Sequence, residues 1–342
     1  MTAIVAGLVL VSLAGAGALY QLVGTRRSAR ACLAPGTLID LGDHRLHAVC
    51  EGTGTPTVVL ESGIAASSLS WSHVLPQVSG FTTACAYDRA GLAWSDLPGR
   101  RLTFEGIVGE LDALLAKTAV QQPYVLVGHS FGCFVTSAYA SAHPEAVAGL
   151  VLVDPPAATE WRAPGRQQAR LLWGAIHLSR IGGVLARLGV VRGCLALLTG
   201  GAPRAPKTFV KIFGPTAAHT LERLVGEVRK LPPEVYPLVQ AHWCQPKCFR
   251  AMADHFRVLQ EAAVFVAGLE SLPDVPLVVI SSGELPPERL DEHRALTRLS
   301  SHGKHIVATK SGHWIQFDEP ELIVEAIRSV VARARAHRDR PN

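Results

Sequence analysis

The segment Gly128-His129-Ser130-Phe131-Gly132 constrains this chain more than any other. It follows directly on the apolar run Tyr124–Val127, which reads as a short buried strand. It leads directly into a helical pattern containing Phe134, Val135 and Tyr139. A strand that becomes a helix within five residues needs a very tight bend, and small residues on either side of Ser130 let the backbone crowd there. G-x-S-x-G alone is a weak signal in a chain with 31 glycines. The strand before it and the helix after it make the signal specific, and they expect Ser130 on a sharp strand-to-helix turn.

From Pro35 onward, short apolar runs alternate with amphipathic stretches, the pattern of an α/β sheet. Thr37–Leu41 and Arg45–Cys50 read as strands joined by a hairpin turn at Gly42-Asp43. Thr57–Leu60 and Thr82–Tyr87 read as the next two, and the helical stretch Phe104–Leu115 leads to Tyr124–Val127. Phe134–Ala142 reads as helix and Gly149–Val153 as strand. Between Pro156 and about Leu272 helical patterns such as Thr220–Arg229 and Phe249–Leu269 occur, without a convincing strand. Strand logic resumes at Pro276–Ser281, followed by a helix at Pro287–Leu299, a strand at Lys304–Ala308 and a helix at Pro320–Ala336. The expected architecture is an α/β core over 35–155 and 273–336, interrupted by a helical cap over 156–272. The basic tail Arg333–Asn342 is expected to fray in solvent.

The first thirty residues, 1–30, differ from the rest. Ala3 to Val23 carries no charge, and Ser12 and Gln21 are its only strongly polar members. About 21 residues at helical rise match the hydrocarbon thickness of a bilayer. Arg26, Arg27 and Arg30 follow at once, and nothing basic but the amino terminus precedes them. A secretory signal carries its charges in front. The segment is therefore expected to be an uncleaved membrane anchor, which leaves the rest of the chain on the cytoplasmic face. The alternative is a cleaved signal with Ala14-Gly15-Ala16 as cleavage site, and so an exported chain; a buried soluble helix is a third option.

Composition excludes other partners. Only 18% of residues are charged, which argues against disorder. The net charge of +5 is scattered or terminal rather than gathered into a basic stripe with aromatics, so nucleic acid is not an expected partner. The seven cysteines are Cys32, Cys50, Cys85, Cys133, Cys194, Cys244 and Cys248. Their number is odd, Cys85 and Cys133 fall in core-like segments, and free buried thiols are the expected state. His242-x-Cys244-x3-Cys248 lacks a second ligand pair, so no metal is expected there.

A serine hydroxyl is a poor nucleophile until a base takes its proton and something holds the developing oxyanion. A base late in the chain fits the order serine, acid, histidine of this strand–turn–helix architecture. Ser311-Gly312-His313-Trp314 follows the last apolar strand and precedes a helix, so His313 is expected to reach over the sheet's C-terminal edge. His129, His302 and His305 are expected to be packing or surface residues.

Together, Val58-Val59-Leu60-Glu61-Ser62-Gly63, Tyr87-Asp88-Arg89-Ala90-Gly91, the Ser130 turn, Leu150-Val151-Leu152-Val153-Asp154-Pro155 and Ser311-Gly312-His313 resemble the α/β-hydrolase superfamily. The resemblance covers about Pro35 to Val331 apart from the cap. It implies a mostly parallel eight-stranded sheet, a Ser-His-acid triad and an acyl-enzyme. Serine at position 130 separates the chain from related epoxide hydrolases and haloalkane dehalogenases, which use aspartate there. The resemblance implies oxyanion donors at the backbone N–H groups of Phe131 and Ile64. Where the family usually has His-Gly, this chain has Ser62-Gly63.

The acid departs from the family pattern. In Ser282-Gly283-Glu284-Leu285-Pro286, Pro286 occupies the usual aspartate's place. Asp154, which closes the strand after the nucleophile's helix, is the favoured acid, and Glu284 is the other candidate. Asp88 and Arg89 read as a surface or loop-bracing pair, whereas Phe131 and Trp314 read equally as acyl-pocket wall or core.

The implied activity is hydrolysis of a carboxylic ester on Ser130, with no cofactor and with a small-molecule acyl substrate, an apolar one where the anchor holds the pocket near lipid. A lactonase, an amidase or peptidase, a carbon–carbon hydrolase and an acyltransferase share the same triad. A catalytically silent, membrane-tethered binding protein is the alternative from another class.

Overall fold

The computed structural model describes residues 2–199 and 227–338. Eight strands form one sheet in the order β1-β2-β4-β3-β5-β6-β7-β8. They are β1 (Thr37–Asp40), β2 (Arg45–Glu51), β3 (Thr57–Glu61), β4 (Ala84–Tyr87), β5 (Tyr124–His129), β6 (Val147–Val153), β7 (Leu277–Ser282) and β8 (Gly303–Ala308). β1 and β2 form the expected hairpin, β2 pairs antiparallel with β4, and all other pairs are parallel. Strands β3, β5 and β7 are buried along their whole length. Helices on both faces require this, and it explains why these strands read as continuous apolar runs.

One face of the sheet is covered by α2 (Leu75–Ser79) and a long C-terminal helix. There Trp71, Val78, Val127, Val151 and Ile327 share a core. The other face carries α3 (Phe104–Lys117) and α4 (Phe131–Ala142), joined through Leu111, Leu126, Phe134 and Leu150. α3 starts at a cap in which the Thr103 side chain accepts from the Gly106 N–H.

Between β6 and β7 the described residues form helices and no strand. These are α5 (Ala158–Arg162), α6 (Arg166–Arg187), α7 (Val190–Thr199), α8 (Tyr236–Trp243) and α9 (Pro246–Ala267). α9 is more than a lid helix: its Val258, Leu259, Ala262 and Ala263 join the same core as Leu111 and Phe134. After β7 come α10 (Pro287–Leu296), a 3-10 turn (Thr297–Leu299), α11 (Ile315–Asp318) and α12 (Pro320–Arg338). The expected helix Thr220–Arg229 lies almost wholly outside the described residues.

The other differences are local. α4 begins at Phe131, three residues earlier than periodicity suggests, because the turn at Ser130 leaves no linker. α12 continues through Arg338 rather than fraying from Arg333. Its Arg335 donates to the carbonyls of Thr55 (2.8 Å) and Phe81 (3.0 Å), which ties the last turns to the sheet edge. The cysteine expectation needs correction: Cys50 and Cys85 form a disulfide. They face each other in the β2–β4 register, a pairing that skips β3 and so cannot be seen in local sequence. Cys32, Cys133, Cys194, Cys244 and Cys248 are free.

The N-terminal helix α1 (Thr2–Ala31) is long and apolar enough to cross a membrane, and most of its apolar stretch is exposed. Its second half meets the cap. Gln21 is buried and its Nε2 donates to the Cys244 carbonyl at 2.9 Å. Arg192 of α7 donates to Gln21 (3.0 Å), Ser28 (3.2 Å) and Thr25 (3.3 Å).

Candidate active site

Ser130 occupies the turn between β5 and α4 with φ 52° and ψ −124°. Positive φ is costly for a residue with a Cβ and persists only where the surroundings enforce it. Here the enforcement is visible. The Ser130 N–H donates to the Val153 carbonyl at 2.9 Å, and its own carbonyl accepts from the Cys133 N–H at 2.8 Å. The flanking glycines are required by space: a Cβ on Gly128 would lie 2.6 Å from Gly132, and one on Gly132 would lie 2.6 Å from the Glu61 carbonyl.

Asp154 follows β6 directly and also has positive φ, 46°. Its backbone N–H donates to the Ile280 carbonyl (2.7 Å), and Oδ1 accepts from the Ser282 N–H (3.1 Å). Oδ2 lies 2.6 Å from Nδ1 of His313. Asp154 is 5% exposed, while the His313 side chain is 45% exposed. Burial pushes the Asp154 carboxyl up, but the hydrogen bond and charge of His313 and the Ser282 N–H outweigh it. The net pKa is below the ordinary carboxylate value. An ionised Asp154 only accepts, so Nδ1 of His313 is the donor in this bond, which points Nε2 away from Asp154. Glu284 is exposed, and its carboxylate accepts no hydrogen bond from the described residues. Of the two candidate acids, only Asp154 is bonded to His313.

Ser130, Asp154 and His313 line one cavity of about 270 Å³ together with Ile64, Phe131 and Trp161. Leu259, Leu285 and Arg289 complete much of its wall. The cavity is therefore largely apolar with one cation, and Arg289 is itself paired to Glu292 at 2.8 Å. A larger cleft of about 780 Å³ at the β1–β2 edge holds no serine–histidine pair. Phe131 is a wall residue, fully buried. Trp314 is not: it stacks on Phe317 and lines a separate small cavity.

The loop after β3 is held against the nucleophile. A Cβ on Gly63 would come within 3.2 Å of the Ser130 Cβ. Arg89 donates to the carbonyls of both Ser62 and Gly63 and pairs with buried Glu61. Trp71 Nε1 donates to Ser62 Oγ at 3.1 Å, so the serine that replaces the family's histidine braces the loop from the other side. Asp88 accepts from the His47 ring at 2.8 Å and from the Ser68 N–H at 2.8 Å. Of the two readings of Asp88 and Arg89, the bracing one holds and the surface one does not, since both side chains are buried. That Arg89 specifically clamps the loop was not visible in sequence, because its carbonyl partners are 26 and 27 residues away.

The family profile for the alpha/beta hydrolase fold matches residues 56–175, which hold β3 through β6 with the Ser130 turn. Over these residues the chain matches the α/β-hydrolase superfamily, whose fold it has. The AB hydrolase superfamily protein of Gibberella zeae is 25% identical over 308 residues, 82% of this chain and 87% of that protein. YqjL of Bacillus subtilis is 32% identical over 105 residues, 31% of this chain and 42% of that protein. An epoxide hydrolase variant from Vigna radiata shares the fold with a TM-score of 0.63 at 19% identity, covering 86% of this chain and 98% of that one. The chain spans 19–43% of the length of three curated relatives it matches. These likenesses carry the fold, without an activity or a substrate.

Proposed function

We propose that this α/β-hydrolase is a serine hydrolase that cleaves a carboxylic ester through an acyl-enzyme on Ser130. The observation that carries this reading is the 2.6 Å bond between Asp154 and His313 on the wall of the cavity that Ser130 enters. In the proposed reaction, Nε2 of His313 removes the Ser130 proton as Oγ attacks the acyl carbonyl. Asp154 stabilises the imidazolium that forms. The N–H groups of Ile64 and Phe131 hold the oxyanion; removing one such donor typically costs about 3 kcal/mol in the barrier. His313 protonates the departing alcohol, and water, deprotonated by His313, then releases the acid and restores Ser130. Serine, rather than the aspartate that the resemblance assigns to epoxide hydrolases, favours acyl transfer.

The small apolar cavity favours short or narrow acyl groups, since small-molecule sites usually reach about 300–1,000 Å³. The test is fluorophosphonate labelling, combined with a panel of acyl esters on wild type and Ser130→Ala. An unlabelled folded protein, or turnover that survives the substitution, refutes the reading.

In this proposal α1 anchors the enzyme in a membrane, and Arg26, Arg27 and Arg30 put the domain on the cytoplasmic side. The Cys50–Cys85 disulfide favours the exported alternative, because disulfides persist in oxidising compartments. Protease protection in sealed vesicles separates the two orientations.

A further inference from the structure

A cleft of about 640 Å³ between α6, α9 and the loop around Arg101 is lined by five arginines: Arg101, Arg180, Arg187, Arg250 and Arg257. Its single carboxylate, Asp254, is bonded to Arg257. The other four are exposed and have no carboxylate partner among the described residues. Four guanidinium groups facing one space repel one another, and an anion with several oxygens relieves that repulsion. Guanidinium forks match phosphate geometry in particular.

The outer face of α6 borders this cleft and carries five large apolar side chains, with Arg170 and His177 among them. Leu171, Trp173, Leu178, Ile181 and Val184 are each more than half exposed, and Val184 also lines the cleft. A surface helix of a globular domain turns such a stripe inward. An outward apolar stripe flanked by arginines is the pattern of a helix that lies in a membrane surface.

A third, independent observation fixes the depth. The C-terminal end of α6 touches α1 at Gly17, where a Cβ would lie 2.2 Å from the Leu188 carbonyl oxygen. Gly189 likewise packs on Tyr20. Gly17 lies six residues before Val23, the end of the uncharged stretch, or about 9 Å along a helix. Interfacial helices bury their apolar face by about 5–10 Å. The backbone of Arg187, next to Leu188, then lies at about that depth, and its long side chain snorkels toward the headgroups.

We propose that the cap makes a second membrane contact. The apolar stripe of α6 lies in the leaflet surface, and the arginine cleft takes the phosphate of an anionic phospholipid headgroup. The inference rests on the membrane reading of α1 but not on catalysis. It places the outer face of α6 against lipid.

The test uses the full chain reconstituted in vesicles of phosphatidylcholine alone or mixed with phosphatidylglycerol, with flotation after alkaline carbonate to report insertion of α1. Quenching of Trp173 by lipids brominated near the headgroup, taken as the difference from Trp173→Phe, reports docking of the cap. Strong quenching is expected in the mixed vesicles. The docking constant should fall about fivefold per arginine in Arg180→Gln/Arg187→Gln/Arg250→Gln. Leu178→Ser/Ile181→Ser should lose quenching without loss of thermal stability, since both side chains are exposed. A chain that floats with an unquenched Trp173 overturns the proposal and leaves α1 as an anchor. A chain that fails to float overturns both. Calorimetric binding of inorganic phosphate without lipid, lost in the triple variant and accompanied by unquenched Trp173, assigns the cleft to a free anion and overturns the lipid assignment.

Discussion

Nε2 of His129 and the backbone carbonyl oxygen of His313 lie 2.8 Å apart. The residue before the proposed nucleophile therefore holds the loop that carries the proposed base. Nδ1 of the same ring lies 3.2 Å from Gln316 Nε2, so His129 donates to one side and accepts from the other. Only the neutral ring can do both. Burial, followed by the neighbouring His313, lowers its pKa to about 3 and keeps it neutral.

His129→Phe keeps a ring in this place and removes both bonds. The expected result is a fall in kcat of roughly ten- to a hundredfold, because a base displaced by a fraction of an ångström loses its alignment. KM should change little, since His129 is not on the cavity wall. Steady-state kinetics with a short-chain ester check this.

His129 also shapes acid stability. Unfolded, it takes a proton near pH 6.5; folded, it resists until about 3. The unfolded state therefore binds more protons in that window, and stability falls with falling pH by about 1.4 kcal/mol per unit for this group. His242, held down to about 4 by burial, adds to the same slope from pH 6.5 downward. Melting temperatures measured from neutral pH to about pH 5 should fall less steeply in His129→Phe than in wild type.

Asp154→Asn removes the carboxylate that fixes the His313 tautomer, and kcat should fall by about 10⁴ with the fold intact. Glu284→Gln should leave kcat within about twofold, because an exposed side chain away from His313 adds little. Equal losses in the two variants would undo the assignment of the acid.

Arg89→Met leaves Glu61 buried without its cation. Burial already pushes the Glu61 carboxyl up and Arg89 opposes it, so the variant should lose about 3–5 kcal/mol in urea unfolding. Adding Glu61→Gln should recover part of the stability. It should not restore fluorophosphonate labelling, since the Ser62–Gly63 carbonyls stay unclamped.

Reduction should destabilise the domain as well. The Cys50–Cys85 bond closes a loop with a sequence separation of 35, worth up to about 4 kcal/mol of unfolded-state entropy. A lower melting temperature in dithiothreitol, absent in Cys50→Ser/Cys85→Ser, checks this.

Sequence was a good guide where interactions are local. The elbow at Ser130, the hairpin at Gly42 and the apolar runs of β5 and β7 were all legible because turn chemistry and strand patterning act over a few residues. His313 was legible through its position after β8. Asp154 was favoured over Glu284 without displacing it, because the choice depends on which strand end faces the histidine loop. That follows from β6 lying beside β7. The disulfide was missed for a similar reason: β2 pairs with β4 and not with β3, the strand that follows it in sequence. The arginine cleft draws on α6, α9 and a loop near residue 100, and no local pattern announces such a meeting.

β6 and β7 pair Val153 with Ile280 across the entire cap. Ser130 and Asp154 precede that interruption, and His313 follows it. On the ribosome, Ser130 emerges about 180 residues before His313, about 10–40 s at ordinary elongation rates. Throughout that interval the nascent chain has a serine but no base. If Ser130 is the nucleophile, the chain is born inert, and it becomes reactive only when its last strand joins the sheet.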